Sequence, residues 1–233
     1  MKIIGAIYVY NGKLVSIYKG DLTQVSSYME APVHFAKYLK KEGIEEVYFI
    51  DLNASISGET VNQDLLKEVI ALGLKVIYGG GVRDIKMVEN LFAMGVAQVV
   101  IGVSALEIAT EATTKFGTDK ILLGFKTKYD QLVSDKFENK DALDFAESTL
   151  AKSPAEYILF TDVLSSGVMI HPNYDMMEKI SLLSGKKIYL AGGVSQLKHI
   201  TILKRNKANA AIIGKAFYER KLSIKSALRE ANE

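Results

Sequence analysis

VIYGGGVRD, residues 76–84, runs an apolar stretch into three consecutive glycines and then an Arg-Asp pair that opens a helical pattern. Glycine loses more backbone freedom on folding than any other residue, so three in a row need a reason. Two reasons are available: a tight strand-to-helix turn, or a ligand lying against bare backbone. The stretch also has an echo. LAGGVSQ, residues 190–196, repeats Gly80-Gly81-Val82 as Gly192-Gly193-Val194 after 112 residues, and the same spacing carries Ile101-Gly102 onto Ile213-Gly214. VYFID and YILFTD set Asp51 against Asp162 at a spacing of 111. Three strand ends on nearly one spacing describe a duplication, two half-barrels of four strands each.

Working outward, apolar runs of strand length recur at 3–9, 47–51, 75–79, 97–102, 120–125, 157–162, 187–192 and 210–214. They are rich in Ile, Val, Leu and Tyr and mostly lack alternation, the pattern of strands buried on both faces. Amphipathic segments such as 31–43 and 61–73 separate them, and 224–232 follows the last. YVYNGKLVSIYKG, residues 8–20, reads as a hairpin turning at Asn11-Gly12. Eight strands alternating with helices predict an α/β fold, a (β/α)8 TIM barrel, occupying residues 1–233 as one domain without a linker. An open doubly wound sheet fits less well, because its glycine cluster belongs after the first strand and this one follows the third.

Composition narrows the function classes. The 233 residues carry 29 basic and 27 acidic side chains, a formal net charge of +2, which is too balanced to argue for nucleic acid or a membrane surface. There is no Cys, and the only histidines, His34, His171 and His199, lack metal-ligand spacing, so neither a metal nor a cofactor is expected. The chain opens on MKIIGAIYV without a cleavable signal pattern, and no apolar stretch reaches membrane-spanning length; the cytoplasm is the expected compartment.

In a (β/α)8 barrel, ligands sit at the C-terminal ends of the strands. Glycine there lets backbone N–H groups approach an anion, and a following helix N-terminus adds partial positive charge. Gly80 and Gly81 with Gly102, and Gly192 and Gly193 with Gly214, form two anion cups on this reading. Ser104, Ser195 and Lys215 stand ready to add hydroxyl or ammonium contacts. The plainer reading of any single cluster is a tight turn. Four glycine sites placed by symmetry favour two phosphate cups, and hence a phosphorylated small-molecule ligand.

GAIYVYNGKLVSIYKGD, FIDLNAS, YGGGVRD, VVIGVSA, FTDVLSSG, LAGGVSQ and IIGKAFYE, in this order, resemble the phosphoribosylformimino-aminoimidazole carboxamide ribotide isomerase family of histidine biosynthesis. The resemblance runs nearly end to end and extends, more distantly, to the cyclase subunit of the next step. It implies a substrate with a phosphate at each end, one held at Gly80, Gly81, Gly102 and Ser104, the other at Gly192, Gly193, Gly214 and Lys215. It also implies acid/base chemistry by two carboxylates, one closing the first strand and one the fifth. Here those positions are Tyr8 and Lys126, and a further Asp of the family falls at Ser166. The expectation is a diverged paralogue with altered or lost isomerase activity. The alternatives are an active isomerase with displaced acid and base, or a non-catalytic barrel that docks a protein partner or forms a homo-oligomer.

Candidate catalytic residues are Tyr8, Lys126, Asp51 and Thr161. Tyr and Lys can move protons, and a Lys whose pKa is depressed by burial can form a Schiff base. The plainer readings are an aromatic plug for Tyr8 and an ion pair with Asp51 or Asp162 for Lys126. Asp51, Thr161 and Asp162 sit at strand ends and either face the ligand or cap the following loop. Arg83 either reaches the ligand or pairs with a loop carboxylate such as Asp84. His34 and His199 read as surface or packing residues, and His171 as a loop residue.

Overall fold

The computed structural model describes residues 1–58, 60–137 and 140–233. The chain enters as β1 (Lys2–Tyr10), turns into β2 (Lys13–Tyr18) and continues into β3 (Asp21–Ser27). The turn is Asn11-Gly12, with both residues at positive φ, 48° and 75°, as the right-handed twist of a two-residue hairpin requires. Then follow α1 (Pro32–Lys41), β4 (Glu46–Asp51), α2 (Leu52–Ser57), α3 (Gln63–Ala71), β5 (Lys75–Gly79), α4 (Ile85–Ala93), β6 (Gln98–Gly102) and α5 (Leu106–Phe116). The second half has β7 (Ile121–Lys128), β8 (Gln131–Leu132), α6 (Ala142–Ser148), β9 (Tyr157–Asp162), α7 (Tyr174–Ser184), β10 (Lys187–Ala191), α8 (Leu197–Arg205), β11 (Ala210–Ile213), α9 (Lys215–Tyr218) and α10 (Ile224–Asn232).

Eight of these strands pair in parallel in the order β1-β4-β5-β6-β7-β9-β10-β11, and β11 returns to β1. The sheet is closed: a (β/α)8 barrel, as the sequence predicts. Each predicted barrel strand is present within two residues at its start and three at its end. β2 with β3 and β8 with β7 are antiparallel additions at the mouth.

Closure leaves every strand side chain one of two destinations. Ile4, Ala6, Tyr48, Ile50, Ile77, Val100, Leu122, Leu159, Tyr189, Ala191, Ala210 and Ile212 fill the interior of the barrel. Alternate residues, among them Ile7, Phe49, Tyr78, Ile101, Phe125, Phe160 and Leu190, pack outward against the helices in a larger second core. The helices supply the matching face; α1, for example, buries Val33, Phe35, Ala36 and Leu39 and leaves His34 exposed.

The internal repeat is geometric as well as sequential. β4 maps onto β9, β5 onto β10 and α4 onto α8 at the spacings of 111 or 112, with identical lengths in each pair. Asn62 and Asn173 occupy the same N-cap position on α3 and α7. Gly58 and Met169, also 111 apart, share a positive φ.

Closure has a seam. The β1–β11 ladder stops at Gly5 opposite Ile213, while β1 runs on to Tyr10. Beyond that point the buried Tyr218 hydroxyl takes the place of the missing strand. It donates to the Ala6 carbonyl at 2.8 Å and accepts the Tyr8 N–H at 3.2 Å. Phe35 and Tyr28 pack edge-on against its ring at 4.9 and 5.0 Å. Tyr218→Phe keeps the ring and strands both backbone groups. It is expected to cost about 1–3 kcal/mol, read as a lower urea midpoint with an unchanged m-value.

Candidate functional site

A cavity of about 580 Å³ opens at the C-terminal ends of the barrel strands, within the range of small-molecule sites. Its position follows from the interior alternation. Tyr8 stands two residues beyond Ala6, Lys126 four beyond Leu122 and Thr161 two beyond Leu159, so all three face inward and line the cavity. Lys126 and Thr161 are direct neighbours in the β7–β9 register. β1 and β7 lie four strands apart in a ring of eight, so Tyr8 and Lys126 face each other across the well.

Asp51 and Asp162 sit one residue out of phase with these positions and turn toward the helical layer. Neither lines the cavity. The Asp51 carboxylate accepts from the Ala54 N–H at 3.1 Å and from the Asn62 amide at 2.8 Å, capping α2. Asp162 accepts from the Leu164 N–H at 3.2 Å and the Ser165 hydroxyl at 2.9 Å. Of the two readings for each, the loop cap is the one the geometry displays. It follows that neither pairs with Lys126, which makes no ion pair among the described residues. The Lys126 side chain is open to the well yet ringed by protein. That desolvation lowers its pKa, opposed by the negative charge of Asp135. The surrounding protein pushes the Tyr8 phenol up to about 12, so it stays protonated at neutral pH.

The glycines divide by cause. Gly80 and Gly81 have φ of 129° and 65°, and a Cβ on either would overlap the carbonyl oxygen of Asp51 or Ala54. Gly192 and Gly193 repeat the left-handed backbone at 96° and 81°, with the His171 carbonyl against Gly193. Left-handed backbone at all four, with backbone overlap at all but Gly192, therefore accounts for these glycines, whether or not an anion also uses them. Gly102 is different. Its φ is an ordinary −62°, and a Cβ there would meet nothing within 4 Å. It lines the cavity at the entry to a short 3-10 turn and α5, and no contact within the chain requires glycine there.

β5 with β6 and β10 with β11 lie on opposite sides of the ring, so the two glycine groups face each other along a line that crosses the Tyr8–Lys126 line. Ser104 lines the cavity and its hydroxyl bonds that of Ser134 at 2.9 Å. Lys215 also lines it, donating to the Gly167 carbonyl at 3.1 Å with Glu219 at 3.8 Å. Arg83 reaches the wall and donates to the Ser55 carbonyl at 3.4 Å rather than to a carboxylate; Asp84 is engaged as the N-cap of α4. Ser195 is buried behind the wall, its hydroxyl donating to the Met169 carbonyl at 3.0 Å and its N–H to His199 Nδ1 at 3.2 Å. His171 is exposed and faces Tyr174 instead of the well.

Sequence reasoning missed Asp135. It is the one carboxylate among the described residues that line the cavity, against three cations, Arg83, Lys126 and Lys215. The β7–β8 hairpin delivers it, and that hairpin turns through Tyr129 at φ 55°, a position usually signalled by Asn, Asp or Gly. The excess of positive charge suits an anionic ligand. No group of His, Asp or Glu able to hold a metal, and no helix long and apolar enough to cross a membrane, occurs among the described residues.

A family profile described as "Histidine biosynthesis protein" matches residues 2–223. Relatives named 1-(5-phosphoribosyl)-5-((5-phosphoribosylamino)methylideneamino) imidazole-4-carboxamide isomerase are similar along the full length. Those of Lachnoclostridium phytofermentans and Clostridium acetobutylicum are each 30% identical, with 98% of both chains covered. That of Desulfitobacterium hafniense is 31% identical over 98% of this chain and 96% of the relative.

The two glycine classes separate in a stability measurement. Gly81→Ala is expected to cost about 2 kcal/mol or more from strain and overlap. Gly102→Ala is expected to be neutral or stabilising by up to about 1 kcal/mol. Urea midpoints of the two variants check the contrast.

Proposed function

The chain belongs to the histidine biosynthesis protein family, and from that membership we propose that it holds a bis-phosphorylated ribotide across the barrel mouth without the carboxylate pair that isomerises it. One phosphate lies at Gly80, Gly81, Gly102 and Ser104, the other at Gly192, Gly193, Gly214 and Lys215. The names of the relatives support an aminoaldose–ketose isomerase as the ancestral activity, and the opposed glycine groups suit a ligand with two anionic ends.

The observation that carries the reading is the identity of the inward residues closing β1 and β7, Tyr8 and Lys126. The resemblance implies an acid and a base at these two positions. A phenol held at about 12 stays protonated and is a poor base at neutral pH, and neither side chain supplies the carboxylate that the resemblance implies there. Removing one general acid or base costs about 10²–10⁴ in rate, and two acting together leave little turnover. The retained function is binding, with altered or lost isomerisation.

Calorimetry with the bis-phosphorylated ribotide, beside a turnover assay on the same preparation, tests this. Binding with turnover at least about 10²-fold below that of the Clostridium acetobutylicum relative is expected. Turnover equal to the relative's overturns the reading, as does failure to bind. Two variants sharpen it. Gly102→Val should weaken binding by about tenfold or more, since it fills the approach to the helix terminus. The double variant Tyr8→Asp, Lys126→Asp should raise turnover above that of the parent.

A further inference from the structure

We propose that Lys126 is a nucleophilic amine that forms an imine with the carbonyl carbon of a phosphorylated sugar bound in the barrel mouth. The proposal rests on the reading of the mouth as a phosphate-holding site and deepens it by naming the substrate class and the reacting atom.

Four placements carry it. Lys126 projects from the inner face of β7, so its amine enters the well instead of the packed layer behind it. The two carboxylates nearest in sequence pattern, Asp51 and Asp162, are committed to their own loops. Among the described residues no carboxylate holds the Lys126 ammonium in an ion pair. A ligand joining the two glycine groups crosses the line from Lys126 to Tyr8, which brings its middle, and not its charged ends, past the amine. The desolvation that lowers the pKa of Lys126 enlarges the fraction in the reactive neutral form.

The neighbours supply the proton traffic. Tyr8, protonated on the opposite wall, is a hydrogen-bond donor for the carbonyl oxygen. Asp135, which lines the same cavity and whose negative charge acts on the amine, is the carboxylate available to exchange protons with it. The neutral amine nitrogen attacks the carbonyl carbon; the C–N bond forms as the C=O π bond breaks onto oxygen. That oxygen gains a proton and the nitrogen loses one, giving the carbinolamine. Loss of the hydroxyl as water, with the second amine hydrogen leaving as a proton, gives the imine. Amine and carbonyl become imine and water, with no oxidant, reductant or metal required.

The full-length protein is incubated with ribose 5-phosphate and cyanoborohydride, and peptide mass spectrometry follows the reduced adduct at every lysine. Labelling at Lys126 is expected to be at least about tenfold faster than at the other lysines, since the held sugar reacts at a raised effective concentration. Inorganic phosphate should suppress labelling at Lys126 alone. Lys126→Arg should abolish the selective adduct while its melting temperature and its calorimetric affinity for ribose 5-phosphate show that the site persists. Labelling of Lys126 no faster than the rest, with ribose 5-phosphate binding intact, overturns the imine and leaves the binding reading standing. Selective labelling that phosphate does not suppress overturns the phosphorylated-sugar class. Absence of binding by both inorganic phosphate and ribose 5-phosphate removes the reading on which the imine rests, and the imine with it.

Discussion

The constraint on which everything else depends is the two-residue alternation of a closed sheet. Once β11 pairs with β1, none of the eight barrel strands lies at a sheet edge, and each of their side chains points either into the barrel or toward the helices. The residue closing a strand then has a role set by phase before chemistry enters. Tyr8, Lys126 and Thr161 are in phase with the interior and meet the well. Asp51 and Asp162, one position out of phase, can only serve the loops. Two carboxylates at the mouth of the barrel thus stand outside the lining of its cavity. The cavity is left cationic, with Asp135 as its counterweight.

The glycine-rich turns illustrate how one residue type answers two demands. At Gly80, Gly81 and Gly193 the chain passes so close to a neighbouring loop that backbone oxygen occupies the space of a Cβ, and at Gly192 a φ of 96° disfavours any other residue. The turn would need glycine with no ligand at all. At Gly102 the chain is relaxed and the space beside it opens to the cavity. A phosphate site inferred from glycine count alone would have weighed these equally. Geometry separates Gly102 from the other four, since no contact within the chain requires glycine there.

Much of the fold was legible in the sequence because the barrel strands are nearly continuous apolar runs and the repeat fixes which runs correspond. Asn11-Gly12 announced its own turn by the φ it permits. What the sequence withheld follows from the same continuity. Runs buried on both faces do not alternate, so YFID and LFTD give no sign of which residue faces in, and Asp51 and Asp162 stayed ambiguous. Asp135 was hidden for another reason. It reaches the wall through a hairpin whose turn residue, Tyr129, is atypical for its conformation. Tyr218 was equally silent, because nothing in IIGKAFYE marks a hydroxyl that finishes a ladder 210 residues away in sequence.

The repeat changes from a spacing of 111 at Asp51 and Asp162, and at Asn62 and Asn173, to 112 at Gly73 and Gly185. The extra residue therefore falls between Asn173 and Gly185, over the span of α7, and is spent before β10 begins at the base of the barrel. This one-residue difference lies at the end remote from the cavity, and the strand tips on either side of it keep their correspondence. The larger difference, from a spacing of 118 between Tyr8 and Lys126 to 111 between Asp51 and Asp162, falls in the connections that carry β2, β3 and β8 at the mouth. The two halves have therefore diverged in length chiefly where loops shape the cavity wall, while the frame of strands and helices beneath it has stayed nearly constant.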